Sequence, residues 1–293
     1  MNELIVAGIR RGTKFSPNHV GNDAAIFGLT VRELRKQGCI VHEYPESVLM
    51  EDGIEEHLIF NMVRDDRAVR RLQQYEDEGR IVINSAYGIR NCTRERMTRL
   101  LIANHIPHPR SLIVRTNIDP LPLLRDAGFN HCWIKRGDFH AIHREDVTYV
   151  RSGDEAQSIL EEYAIRGIDN AVINEHLNGD LVKFYGVSGT DFFYWFYPTA
   201  AHHSKFGLEQ INGTAQGFPF DPEYLRSLCN RAAQLLNIRI YGGDCIVSEE
   251  GVVRIIDFND WPSFAPCRNE AAHFIAKRIY SLIHSVCNVQ ITL

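Results

Sequence analysis

Three oxygen-bearing side chains lie in two neighbouring apolar segments near the end of the chain. Asp244 belongs to the segment 242–247, and Asp257 and Asn259 belong to the segment 253–260. A short turn between the segments predicts antiparallel strands that bring Asp244 close to Asp257, and side-chain alternation puts Asp257 and Asn259 on one face. Carboxylate and amide oxygens are ligands that Mg²⁺ prefers, with Mn²⁺ as a second candidate. The sequence therefore predicts a metal site, with polar strand ends at a solvated turn as the alternative.

A lysine in an apolar segment indicates an anion beside this metal. Lys135 ends the segment 132–135. Burial of an ammonium group is costly unless an anion offsets the lost hydration, and a triphosphate would supply that anion. Taken alone, a strand lysine such as Lys135 is more often an edge residue whose ammonium group lies in water.

Two polar loops are candidates for binding a further substrate. The loop after the first predicted strand carries Arg10, Arg11 and Lys14, and open α/β sheets usually bind ligands at the carboxyl ends of their strands. A solvated basic turn is the alternative for this loop. The second stretch, 202–214, is long for a passive connection, which favours a binding role.

The elements that would position these residues alternate in an α/β pattern over the segment 4–84. Apolar runs typical of buried strands alternate there with helical spacing, which predicts a parallel sheet. The later part of the chain turns to strands, with a hairpin-type turn at 188–191. Asp221 and Pro222 predict a helix start, and a final amphipathic helix is predicted over 269–286. We predict an α/β fold that becomes α+β in its C-terminal part.

Composition limits the classes of protein open to this chain. It has 293 residues, 44% of them hydrophobic, so a core is expected and a disordered class is excluded. With 32 Lys and Arg against 37 Asp and Glu, neither a nucleic acid nor a membrane is predicted as a partner. The 7 cysteines lack CxxC spacing, which predicts free thiols, and the absence of a signal-peptide pattern predicts a cytoplasmic location.

In their order along the chain, several motifs resemble the ATP-grasp superfamily, in particular the branch containing ribosomal-protein glutamate ligases and inositol-phosphate kinases. The segment 256–262 resembles its metal-binding end, and 95–109 resembles the helix that opens its nucleotide-binding region. The segments 133–135, 173–180 and 182–189 resemble three strands that meet the nucleotide in that family. The likeness covers about residues 94 to 262, which is over half of the chain.

The resemblance implies an ATP-grasp fold with Mg-ATP bound between its last two parts. The implied parts are a small α/β domain at 1–91, a central subdomain at 92–171 and a C-terminal catalytic subdomain at 172–293. It also implies roles for particular residues. The implied contacts are Arg96, Lys135 and Lys183 at the phosphates, the backbone of Glu175 and Leu177 at the adenine, Asp180 at the ribose, Asp244, Asp257 and Asn259 at the metal, and Lys205, Asn212 and Arg11 at the acceptor substrate. Taken alone, Glu175 and Asp180 are more typical of solvated strand ends.

The leading prediction for function is an ATP- and Mg²⁺-dependent ligase. Such an enzyme activates a carboxylate as an acyl phosphate, which an amine or thiol then attacks. Its expected partners are a small anionic substrate that bears a carboxylate, and a second substrate that supplies the nucleophile. The sequence leaves open whether the protein forms a homo-oligomer. Two alternatives are a small-molecule kinase, which would phosphorylate a hydroxyl from the same nucleotide site, and a non-catalytic nucleotide-binding module.

Overall fold

The computed structural model describes residues 4–15, 20–139, 144–198 and 211–290, with side chains described to residue 283. Its strands form three four-stranded sheets, one parallel and two antiparallel, which confirms the predicted α/β class with a more antiparallel C-terminal part. Among the helices in these ranges, none combines the length and the apolar character needed to cross a bilayer.

The first sheet is parallel, with the strand order β2-β1-β3-β4. Its strands and the helices that accompany it are β1 (Leu4–Ile9), α1 (Val20–Lys36), β2 (Cys39–Tyr44), β3 (Leu58–Asn61), α2 (Asp66–Asp77), β4 (Ile81–Ile83) and α3 (Ala86–Asn91). Because all four strands run the same way, the loops that follow β1, β2 and β3 lie at one edge of the sheet.

The second sheet is antiparallel, with the strand order β5-β8-β6-β7. Its elements, with the helix that precedes them, are α4 (Arg94–Ala103), β5 (Ser111–Arg115), α5 (Leu121–Ala127), β6 (Cys132–Arg136), β7 (Val147–Val150), α6 (Gly153–Ile165) and β8 (Asn170–Glu175). The predicted boundary between the central and C-terminal parts, at 171/172, falls inside β8, and all of β8 pairs within this sheet.

The third sheet is antiparallel, with the strand order β10-β9-β11-β12. Its elements are β9 (Asp180–Val187), β10 (Phe193–Phe196), α7 (Pro222–Leu236), β11 (Ile240–Val247) and β12 (Val253–Asp260). The side chain of Asp221 caps α7 and Pro222 occupies its first turn, as the sequence predicts. Apolar residues of α7 cover one face of the sheet, which leaves polar residues on the other face.

The last helix, α8 (Arg268–Gln290), packs against α1 from the beginning of the chain. Alanines 271, 272 and 276 allow close approach, and they share one core with Ile26 and Leu34 of α1. Trp261 and Phe264, which follow β12, belong to the same core. The first sheet and the third sheet are therefore joined through a common apolar interior.

Candidate active site

The polar face of the third sheet carries a row of charged side chains on three neighbouring strands. Lys183 of β9 lies opposite Asp244 of β11, and Asp244 lies opposite Asp257 of β12. The Nζ atom of Lys183 is 3.1 and 3.3 Å from the two carboxylate oxygens of Asp244. Asn259, two residues beyond Asp257, hydrogen-bonds the Asp257 side chain. The structure thus brings together the three residues predicted to bind a metal and one predicted to bind phosphate.

Arg94 approaches the same row from α4. It is buried, and its Nη1 atom lies 2.7 Å from Oδ1 of Asp257. Burial alone would raise the pKa of Asp257, but the positive charges of Arg94 and Lys135 outweigh burial and lower that pKa. The carboxylate of Asp257 is therefore held ionised, which is the form that binds a cation.

Lys135 of β6 faces this row from the second sheet. Its side chain is buried, and Nζ donates to the main-chain carbonyl of Ile256 at 3.0 Å. Burial, reinforced by Arg94, lowers the pKa of Lys135 from 10.5 to about 7, although Asp257 and Asp244 oppose the shift. A neutral carbonyl stabilises an ammonium group less than an anion does, so an anionic ligand at this position would stabilise the charged lysine.

His108 is a half-buried neighbour of Lys135 that the sequence-based prediction missed. Its Nδ1–H donates to the carbonyl of Ile255 at 2.6 Å, and Pro107 accepts a hydrogen bond from the Ile255 amide at 2.9 Å. Burial and the charges of Lys135 and Arg94 lower the pKa of His108 to about 3, so its imidazole is neutral. Pro107, His108 and Lys135 therefore hydrogen-bond the backbone of β12 along the side that no other described strand of the third sheet occupies.

An aromatic group lies on the same face of the second sheet as Lys135. Trp133, two residues earlier on β6, contacts Tyr149 and donates from Nε1 to Nδ1 of His176 at 3.1 Å. Asn174 of β8 lies opposite Trp133 and is 2% exposed. Its amide nitrogen donates to a serine hydroxyl, but its buried Oδ1 atom has no hydrogen-bond partner among the residues that the structure describes. A buried acceptor without a donor is unfavourable, and a donor on a ligand would remove that cost.

The structure gives Glu175 and Asn212 partners within the protein. Glu175 accepts hydrogen bonds from the backbone amide of Arg110 at 2.8 Å and from its Nε at 2.7 Å. The side-chain amide of Asn212 donates to the carbonyl of Leu177 at 3.1 Å. Asn212 therefore lies beside the segment between the second and third sheets, where the adenine was predicted to bind.

Asp180 anchors a turn before α7 instead of pointing to open solvent. It is 2% exposed, and its carboxylate accepts hydrogen bonds from the backbone amides of Gln216, Gly217 and Phe218 at 2.7, 2.8 and 2.9 Å. The solvated alternative is wrong for Asp180, because the whole carboxylate is buried and hydrogen-bonded. The contact with ribose stays a prediction, although both oxygens are already engaged.

Replacing Asp180 with alanine is expected to lower the free energy of unfolding by about 2–4 kcal/mol, because three backbone amides lose a charged acceptor. Urea denaturation of the full chain measures the change. Asp191→Ala is the matched control, since the side chain of Asp191 is 99% exposed. Equal stability of the two variants would show that the anchored turn contributes little.

Arg96 and Arg94 occupy different faces of α4. The residues of α4 that are buried are Arg94, Met97, Thr98 and Leu101, a helical spacing, whereas Arg96 is exposed. The helical spacing of the apolar residues indicates Arg94, because the buried side of the helix includes position 94 and not position 96.

Lys205, which was predicted to contact the acceptor substrate, lies outside the described residues.

The side chain of Arg11 has three hydrogen-bond partners within the protein. Its Nε donates to the carbonyl of Met62 at 3.2 Å, Nη1 to Asp23 at 3.1 Å, and Nη2 to the carbonyl of Trp261 at 2.9 Å. The side chain is 7% exposed. Arg11 therefore links the first sheet to the segment after β12, and its contacts give no support to the predicted role in binding the acceptor substrate.

The donor set at the charged row fits a metal that is shared with phosphate. Within the described part of the chain, no group of three or more His, Cys, Asp and Glu side chains is placed to hold a metal ion. The predicted set has two carboxylates and one amide, and Mg²⁺ accepts such a small protein set when water and phosphate complete its octahedron. Asp244, Asp257 and Asn259 would then be the protein ligands.

The second and third sheets face each other across the buried Lys135 and the carboxylates of Asp244 and Asp257, and the chain has the ATP-grasp fold. Comparison with solved structures agrees. Over 96% of this chain and 98% of the other, it matches D-alanine–D-alanine ligase from Bacillus anthracis complexed with ATP, with a TM-score of 0.67 at 11% identity. D-alanyl-alanine synthetase A from Vibrio cholerae matches with the same coverages, a TM-score of 0.69 and 11% identity.

A further similar structure is the ATP-grasp ligase PsnB complexed with a minimal precursor. It matches 96% of this chain and 99% of its own, with a TM-score of 0.62 at 16% identity. No protein-family model and no curated protein sequence matches the chain. At these identities, the structural similarity establishes the fold.

Proposed function

We propose that the protein is an ATP-dependent, Mg²⁺-requiring ligase that activates a carboxylate for attack by an amine. The observation that carries the proposal is the charged cleft itself. Arg94, Lys135 and Lys183 converge on the carboxylates of Asp244 and Asp257. Three basic side chains facing two carboxylates can bind an anionic ligand, whose charge would favour the protonated form of Lys135, and the two carboxylates can hold its metal.

An adenine nucleotide fits the neighbouring part of the second sheet. The unpartnered Oδ1 of Asn174 could accept a hydrogen bond from the amino group of adenine, and Trp133 offers an aromatic surface beside it. A guanine base presents a carbonyl at the corresponding position, which would leave two acceptors facing each other. These features favour ATP over GTP as the nucleotide.

The residues of this chain would bind and orient the reacting groups. Lys135, Lys183 and Arg94 would hold the phosphates, and Asp244, Asp257 and Asn259 would hold Mg²⁺. When bound, the metal would neutralise negative charge that develops on the transferring phosphoryl group. Held in this way, the γ-phosphoryl group can pass to a carboxylate with release of ADP. An amine or thiol can then attack the acyl carbon with loss of a proton and release of inorganic phosphate.

The similar structures support a ligase in preference to other ATP-dependent activities. Two of them are named as ligases, and one is described with ATP bound. For this chain we propose a carboxylate-bearing substrate, either a small anionic molecule or a peptide. Lys205 stays a proposed contact of that substrate. Asn212 is proposed only as a neighbour of the nucleotide, because it contacts Leu177.

Trapping with hydroxylamine tests the proposal. The protein is incubated with Mg-ATP, a panel of carboxylic acids and hydroxylamine, and we expect a hydroxamate and free phosphate from at least one acid. Asp257→Asn is assayed in parallel, to show that the product depends on this site. Stable transfer of labelled phosphate to a hydroxyl compound, without hydroxamate, would establish a kinase and overturn the ligase proposal.

A further inference from the structure

The first sheet contacts the turn that directly follows the metal-facing strand. Arg64, in the loop after β3, pairs through Nη1 with the carboxylate of Asp260 at the end of β12. Its Nη2 donates to the main-chain carbonyl of Asp260 at 3.0 Å. Arg64 is 8% exposed and Asp260 is 1% exposed. A buried, two-point contact of this kind fixes both position and orientation, because neither charge can return to water while the sheets stay packed.

Trp261, the next residue, has a backbone conformation that needs support. Its φ of 34° lies in the left-handed region, which costs a side-chain-bearing residue about 1–3 kcal/mol. The carbonyl of Trp261 accepts the hydrogen bond from Arg11, and its amide donates to Ile240 at 3.0 Å. Its indole ring, which is fully buried, stacks on Phe60 of β3 at 5.9 Å. Contacts from the first sheet therefore hold the turn in this conformation.

The loops that carry Arg11 and Arg64 are connected to each other by a buried carboxylate. The buried carboxylate of Glu46, in the loop after β2, accepts hydrogen bonds from the amide of Gly12 at 2.8 Å, from that of Asp65 at 2.6 Å and from that of Arg64. One carboxylate thus ties together the three loops at the carboxyl edge of the first sheet. Because these loops are fixed to each other, Arg11 and Arg64 act on the turn as one unit.

We propose that Arg64 and Arg11 are positioning residues for the metal site: by holding Asp260 and Trp261, they keep Asn259 beside Asp257. The inference rests on the proposed function, since it concerns the metal of that same site. Asn259 immediately precedes the residues held by the arginines, at the end of β12. Release of the turn would therefore move Asn259 first, while Lys135 and Lys183, on other strands, would keep their places.

The test measures metal and nucleotide affinity separately in the full chain. Calorimetry follows Mg²⁺ binding in the presence of a saturating, non-hydrolysable ATP analogue, and binding of the analogue alone is measured without metal. For Arg64→Ala we expect the dissociation constant for Mg²⁺ to rise by about 10- to 100-fold, as when partners of metal ligands are removed. Affinity for the metal-free analogue should change less than about twofold, since no phosphate-binding side chain moves.

Two further variants keep the result interpretable. Arg64→Lys retains the charge opposite Asp260 but cannot make both contacts, so it should fold and show a smaller rise in the Mg²⁺ dissociation constant. Arg67→Ala is the matched control, because Arg67 is close by in the chain and 71% exposed. Guanidinium ion at a non-denaturing concentration should partly restore Mg²⁺ affinity to Arg64→Ala, which a purely global loss of stability would not allow.

The outcomes separate this inference from the proposed function. If wild-type protein shows no Mg²⁺-dependent binding of the analogue, the proposed function fails and the inference fails with it. If wild type binds and both Arg64 variants bind Mg²⁺ equally well, the inference alone is wrong. A loss of thermal stability with unchanged Mg²⁺ affinity also overturns it, because Arg64 would then be a structural residue only.

Discussion

Replacing Asp257 with asparagine is expected to lower the rate of ATP-dependent product formation by about 100- to 1,000-fold. The neutral amide removes one of two carboxylates from the predicted metal set, and it also deprives Arg94 of its ionic partner at 2.7 Å. Because asparagine has nearly the same shape and the side chain of Asp257 is 23% exposed, the variant should remain folded. Initial rates at saturating ATP, over a range of Mg²⁺ concentrations, measure the effect.

Two other variants test whether the effect of Asp257→Asn comes from loss of a metal ligand. Asn259→Ala should lose less activity, because a neutral ligand contributes less to holding a dication than a carboxylate does. Glu249→Gln makes the same chemical change on the exposed turn of the same hairpin and should behave as wild type. If Asp257→Asn binds and uses Mg-ATP as wild type does, the metal assignment is wrong.

Replacing Lys135 with methionine is expected to weaken binding of Mg-ATP by about 100-fold and to stabilise the free protein. Methionine fills the same buried space without a charge. In the free protein that charge is poorly compensated, because Nζ contacts only the carbonyl of Ile256 among the contacts described. Calorimetry measures the affinity, and thermal denaturation measures the stability. Loss of both affinity and stability would show that Lys135 is a structural residue.

The stability difference for Lys135 depends on pH in a defined direction. The pKa of Lys135 is about 7 in the folded protein, against 10.5 for an unburied lysine, so the unfolded chain holds the extra proton between these values. Wild-type stability should therefore rise with pH across that window, by up to about 1.4 kcal/mol for each pH unit. Lys135→Met removes this dependence, so its advantage should be largest at or below neutral pH and small near pH 10. A constant difference over this range would contradict the lowered pKa.

Cross-strand geometry made part of the site predictable from sequence. Two apolar segments joined by a short turn have few pairings available, and the register that puts Asp244 opposite Asp257 follows even though the pairing shifts just after Asp244. Lys135 was predictable because a charged residue that ends an apolar run needs a partner. The α/β order of the first sheet followed from alternating periods of apolar residues.

Contacts between distant segments could not be predicted in the same way. Arg11 reaches a carbonyl 250 positions away, and a sequence does not show which of its basic residues has such an acceptor. Asp180 is buried because backbone amides of a turn more than 30 residues later donate hydrogen bonds to its carboxylate. Arg96 was predicted from the family resemblance, whereas the helical phase of α4 buries Arg94.

The packing of α8 on α1 also has a consequence for how the chain is made. Ile26 and Leu34 of α1 are buried in a core that includes Ala272 and Ile275 of α8, so this core is completed only when α8 has left the ribosome. Until then, an apolar side of α1 is exposed on the nascent chain, which is the kind of surface that chaperones bind. Folding of α1 into this core is therefore expected to depend on a segment that is synthesised much later than α1 itself.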